Sequence, residues 1–134
     1  KCIVANCFTA KLVFAYRDPD FDNRDWLPET LSASKAVVVN GYELTKTTTE
    51  ADLAKVGGKF TNPWQIEVLI LRTDKGEKTG LITYRYTNIF LLRVGASVFT
   101  VSASRDSDGW GVGCFRFRAG YEWGAEDRFF SPAT

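Results

Sequence analysis

Twelve consecutive residues hold the densest set of metal-binding side chains in the chain: Asp18-Pro19-Asp20-Phe21-Asp22-Asn23-Arg24-Asp25-Trp26-Leu27-Pro28-Glu29. Acids at the first, third, fifth and twelfth places have the spacing that wraps carboxylate oxygens around Ca²⁺ at about 2.3–2.6 Å. The sixth place, where the backbone must turn sharply, carries Asn23, which tolerates that conformation best after glycine. Asp18, Asp20, Asp22 and Glu29 are therefore the candidate metal ligands, and Ca²⁺ is the candidate ion. No organic cofactor is implied. The competing expectation is a solvated acidic connector whose carboxylates cap turns, with Arg17 and Arg24 offsetting their charge.

Over this one segment the chain resembles an EF-hand loop. Pro19, Pro28 and Trp26 depart from that pattern, and no helical periodicity leads into Asp18. A second acidic turn, Asp106-Ser107-Asp108-Gly109, is followed by Trp110, with Trp123 farther on. Aromatic faces beside carboxylates can hold sugar rings, with apolar ring faces on the π-surface and hydroxyls on the acidic oxygens. Asp106, Asp108, Trp110 and Trp123 are the candidate ligand-binding residues. The competing expectation buries these aromatics in the core. Arg116 and Arg118 alternate with Phe115 and Phe117 and could present two guanidinium forks from one face, although a solvated outer face explains them as well.

Catalysis has little to work with. The chain has no His, which removes Ser-His and Cys-His nucleophile pairs and the common zinc sites. A glycosidase would need two facing carboxylates, to be drawn from Asp106, Asp108, Glu122, Glu126 and Asp127. Cys2, Cys7 and Cys114 are an odd set without a CxxC pair. They read as small buried hydrophobes, or as one bridge to Cys114 with a thiol left over.

The elements that must position these residues are mostly strands. Residues 35–45 centre on Asn40-Gly41 between β-branched and aromatic neighbours, which predicts a hairpin with a type I′ turn. Thr49 with Asp52, and Thr47 with Glu50, have capping spacing for a short helix from Thr48 to Val56, closed by Gly57-Gly58. Residues 64–73 carry apolar side chains on both parities and read as a buried central strand. Further strands are expected at 9–16, 81–87, 89–94, 96–103 and 114–121. The expected fold is mainly β: an antiparallel β-sandwich, jelly-roll-like, or a barrel of seven or eight strands with one short helix, in a single domain spanning 1–134. Residues 124–134 are expected to form a docking arm, with Phe129 and Phe130 as assembly residues buried on a neighbouring chain or on the domain itself.

A chain of 134 residues with 45% hydrophobic and 25% charged residues has the composition of an ordinary globular domain rather than a disordered one. The net charge of +1 supplies no large field for nucleic acid or an anionic bilayer. No apolar run approaches the ~20 residues of a membrane span, so neither nucleic acid binding nor membrane insertion is expected. The opening residues turn polar too soon for a secretory signal. The expected function is that of a non-catalytic structural or assembly protein, a virion, tail or extracellular filament component whose partners are itself or other structural subunits. The alternative is a carbohydrate- or ligand-binding module with a glycan partner, stabilised by calcium. A carboxylate-based glycosidase is the second alternative.

Overall fold

The computed structural model describes residues 2–33 and 35–133. Thr134, the last residue of the expected docking arm, lies outside them. The fold is mainly β and sandwich-like, as expected. Among the described residues a six-stranded sheet is joined by two two-stranded sheets and two α-helices, one of them a single turn. The strands are β1 (Cys2–Ile3), β2 (Phe14–Arg17), β3 (Thr30–Leu31), β4 (Val39–Glu43), β5 (Thr48–Thr49), β6 (Asn88–Val94), β7 (Ser97–Asp106), β8 (Gly109–Arg116), β9 (Glu122–Trp123) and β10 (Arg128–Pro132). The large sheet runs β2-β8-β7-β6-β10-β4. Its hairpins β6-β7 and β7-β8 are antiparallel, but β2 joins β8 and β10 joins β6 in parallel.

Strict alternation along β6 explains why both faces of the sheet are covered. Phe90 and Leu92 point to one side with Phe99, Val101, Val112, Cys114 and Phe130. Ile89 and Leu91 point to the other with Leu44, Leu53 and Phe129. The first face packs against α2 (Pro63–Asp74) and against Val4, Phe8, Phe21 and Leu27 from the N-terminal loops. The second packs against α1 (Glu50–Leu53) and Trp123 of β9.

Three expectations for local structure are corrected. Residues 64–73 are helical, not a strand. Asn62 caps the Gln65 N–H at 3.2 Å while the Gln65 side chain returns to the Asn62 N–H, and Pro63 supplies a preset first turn. Ile66, Leu69, Ile70 and Thr73 then form the buried stripe of that helix. Residues 81–87 form an irregular segment rather than a strand. Asn40-Gly41 makes no turn but lies within β4, an extended edge strand paired with β10. Gly41 sits opposite Phe130, whose ring would stand 2.8 Å from a Cβ added there. The missing side chain is a packing requirement. The helix expected from Thr48 to Val56 is present but shorter, Glu50–Leu53, with the Thr49 hydroxyl accepting from the Asp52 N–H at 3.2 Å.

The arm takes the second of its two expected places, on the domain itself, and does so as a strand. Residues Arg128–Pro132 form an internal strand between β6 and β4, and Phe129 and Phe130 are each 1% exposed within the chain's own sheet. Phe130 stacks on Phe90 at 5.5 Å and Phe129 on Tyr42 at 6.4 Å. Neither ring is free to enter a neighbour.

Glu50 fastens the second layer to the sheet. Its fully buried carboxylate accepts from the Thr100 hydroxyl at 2.9 Å, the Arg118 N–H at 2.7 Å and the Trp123 indole N–H at 3.0 Å. The Arg118 guanidinium stands 3.4 Å away.

Two substitutions test these contacts. Glu50→Ala leaves the buried Thr100 hydroxyl and the half-buried Arg118 and Trp123 N–H groups without their acceptor and is expected to cost about 1–3 kcal/mol. Gly41→Ala pushes on a ring that Phe90 holds in place and is expected to cost about 1–3 kcal/mol. Both are read as lower urea midpoints at unchanged slope.

Candidate functional site

The expected cation ligands do not converge. Asp18 begins a 3-10 turn at Pro19–Asp22, where one carboxylate oxygen accepts from the Asp20 N–H at 3.0 Å and the other from the Cys114 N–H at 3.1 Å. Asp22 is held by Arg17 at 2.7 Å, with Arg24 at 3.6 Å, and the Arg17 hydrogen bond lowers its pKa below the usual carboxylate value. Asp20 receives the Asn23 amide at 3.4 Å. The Glu29 side chain is exposed, while its carbonyl receives the Val4 N–H. Among the described residues, no three or more of His, Cys, Asp and Glu gather closely enough to hold a metal ion. In these contacts the carboxylates behave as turn caps and ion-pair partners.

The expected ligand-binding set is dispersed as well. Asp106 and Asp108 close the β7-β8 hairpin, where Asp106 accepts from the Asp108 N–H at 2.8 Å. Gly109 follows because any Cβ there would meet the Val13 carbonyl at 2.7 Å. Trp110 is fully buried in the core, so it offers no face to a ligand. Trp123 lies on the other small sheet with its indole N–H committed to Glu50. Arg116 and Arg118 do not share a face: Arg116 lies over Trp26 at 5.2 Å, and Arg118 over Tyr121 at 3.8 Å.

A different cleft has better chemistry. It encloses about 310 Å³ between residues 81–86, the end of β4 and the turn before β10. Tyr84, Tyr86, Glu43, Glu126 and Arg128 supply its polar and aromatic groups, and Leu81 and Ile82 its apolar floor. Its walls are pinned from behind. Buried Asn88 accepts from the Ile82 N–H at 2.8 Å and donates to the carbonyls of Ile82 and Ala103. Asp127 accepts from the N–H groups of Thr87 at 2.9 Å and Gly124 at 3.2 Å. Arg128 donates to the Gly80 carbonyl and pairs with Glu43 at 3.5 Å.

Both walls carry strained backbone. Arg85 has φ of 70°, and across it the Tyr86 N–H donates to the Tyr84 carbonyl at 2.8 Å, a γ-turn of the uncommon positive-φ type. Glu126 has φ of 77°, with its N–H donating to the Leu44 carbonyl at 2.7 Å. Non-glycine residues held in this region cost of order 1–3 kcal/mol and concentrate at functional sites. The γ-turn sets Tyr84 out at 70% exposure beside Tyr86. The Glu126 carboxylate beside the Tyr86 hydroxyl raises its pKa above the ordinary phenol value.

Of these residues, only Glu126 was among the carboxylates considered from the sequence. The others come from residues 43, 84, 86 and 128, too scattered to form a motif. The Tyr-Arg-Tyr triplet at 84–86 was the readable signal, and its strand-like alternation concealed it. No family model matches the chain, and no curated protein or solved structure shows significant similarity to it. Among the described residues no helix is long and apolar enough to cross a membrane.

One carboxyl away from the cleft gives a pH test. Glu67 on α2 accepts from the Phe8 N–H at 2.6 Å. Burial, the largest influence, raises its pKa above the ordinary 4.5, against the lowering effects of that hydrogen bond and of Arg17. The folded chain therefore favours the neutral form. That contribution is complete below the ordinary value and is lost as pH rises through the folded one. Glu67→Gln is expected to melt above the wild type at neutral pH and to lose that advantage below pH 4.5. Thermal melts across that range check it.

Proposed function

We propose that this protein binds, without transforming, a small polar ring-bearing ligand of the saccharide class in the cleft of Tyr84, Tyr86, Glu43, Glu126 and Arg128. The observation that carries this reading is the pair of tyrosines beside two carboxylates on walls that hold strained backbone. Tyrosine faces suit the apolar faces of a sugar ring. Carboxylate oxygens accept hydroxyl protons, and the Arg128 fork donates to ring or hydroxyl oxygens. The volume is at the low end for small-molecule sites, which suits one sugar unit with the rest of a chain left in solvent.

A second reading, assembly with copies of itself or other structural subunits, draws on the outer edge of β4. β4 is the last strand of its sheet, so one row of its backbone groups faces away from β10. Such an edge can add a strand from another chain. Phe129 and Phe130 no longer support that reading, because they complete the domain's own core.

Probing an array of immobilised saccharides, followed by calorimetric titration of the best free sugar, separates the two. Tyr84→Ala is expected to weaken binding about tenfold, the loss of roughly 1.4 kcal/mol of ring contact, and Glu126→Gln to weaken it further with the fold intact. An array that retains no wild-type protein, or binding indifferent to both substitutions, overturns the saccharide reading. A large symmetric particle by light scattering would then favour assembly.

A further inference from the structure

We infer that Cys2 and Cys7 are a disulfide-forming pair that staples the N-terminal segment when a small disulfide oxidant is present. Their sulfurs stand 3.9 Å apart, a van der Waals separation that side-chain rotation can close to the ~2.05 Å of a bond. The segments carrying the two residues are independently anchored. Cys2 is held in β1 by pairing with Leu31 of β3. Cys7 is held by Arg17, whose guanidinium donates to the Cys7 carbonyl at 2.8 Å and the Val4 carbonyl at 3.1 Å. The Cys7 N–H closes the 3-10 turn at Val4–Asn6 onto Val4. The backbone thus presents both thiols to each other before any oxidation.

Cys114, the bridging partner considered from the sequence, lies elsewhere. It is buried on β8 beside Asp18 and Asp20, and burial pushes its pKa up to about 12.

The order of events follows from exposure. Cys2 is half-buried and reachable, whereas Cys7 is buried, its pKa raised chiefly by burial and further by Cys2 itself. Cys2 loses its proton to solvent and attacks oxidised glutathione. One glutathione thiolate leaves and a Cys2–glutathione mixed disulfide forms. Cys7 then gives up its proton and attacks the Cys2 sulfur, and the second glutathione thiolate leaves. Two cysteine thiols are oxidised, one glutathione disulfide is reduced to two thiols, and the two protons end on glutathione.

The sequence makes the product easy to read. Trypsin cuts after Lys1 and Lys11, so Cys2 and Cys7 fall in one peptide, 2–11, and Cys114 in another, 106–116. The folded protein is treated with oxidised glutathione, denatured with an alkylating agent and digested without reductant. Alkylatable thiols are expected to fall from three to one. Peptide 2–11 should be two hydrogens lighter and unalkylated, peptide 106–116 should be alkylated, and dithiothreitol should restore the starting pattern. In Cys7→Ser the reaction should stop at a glutathione adduct on Cys2, and in Cys2→Ser Cys7 should stay reduced. A peptide 2–11 alkylated twice, a lasting glutathione adduct in the wild type, or a crosslink between the two peptides would overturn the inference.

Discussion

A carboxylate removed from water must find enough donors inside the protein to replace its hydration, and Glu50 shows how this chain meets that demand. The residue opens α1 and lies wholly buried between the large sheet and the β5-β9 layer. Its acceptors engage Thr100 from the middle of β7, Arg118 from the segment after β8, and Trp123 from β9. Three stretches of chain are thus tied to one side chain. The backbone follows the same plan: the Glu50 and Ala51 N–H groups, free at a helix start, donate to the carbonyls of Tyr121 and Ala119. Without the carboxylate the Thr100 hydroxyl and the Arg118 and Trp123 N–H groups would lose their common acceptor, so this layer depends on it.

The cleft uses the opposite arrangement. Its polar groups face solvent, while buried Asn88 and half-buried Asp127 hold its walls from behind. Satisfied polar anchors of this kind can keep positive-φ residues such as Arg85 and Glu126 in place, because the surrounding bonds outweigh their local cost. The division of labour is clear in the carboxylates. Those that look most like ligands in the sequence, Asp18 and Asp22, are occupied by N–H groups and arginines. Glu43 and Glu126, far apart in sequence, border the same open volume.

What could be read in the sequence was whatever depends on neighbours within a few residues. The strands expected at 89–94 and 96–103 are β6 and the greater part of β7, and the Thr49–Asp52 spacing identified the start of α1. The capping box Asn62-Pro63-Trp64-Gln65 was equally readable. Residues 64–73 were read instead from their apolar residues on both parities, a pattern common to a buried strand and a well-packed helix.

Tertiary structure decided the features set by contacts with distant segments. Asn40-Gly41 has strong turn propensity, yet the strand β10 offers a full ladder and the Phe130 ring needs the space above Gly41. Phe129-Phe130 appeared as a terminal arm because nothing local shows that β6 and β4 leave a strand's width between them. The Glu50 donors and the Tyr84, Tyr86, Glu43, Glu126 and Arg128 cleft are likewise assembled across tens of residues. Capping and alternation act along the chain. Burial and hydrogen-bond satisfaction act through space, and where the two disagree the interior decides, because an unfilled contact or unpaired donor there costs more than a local preference supplies.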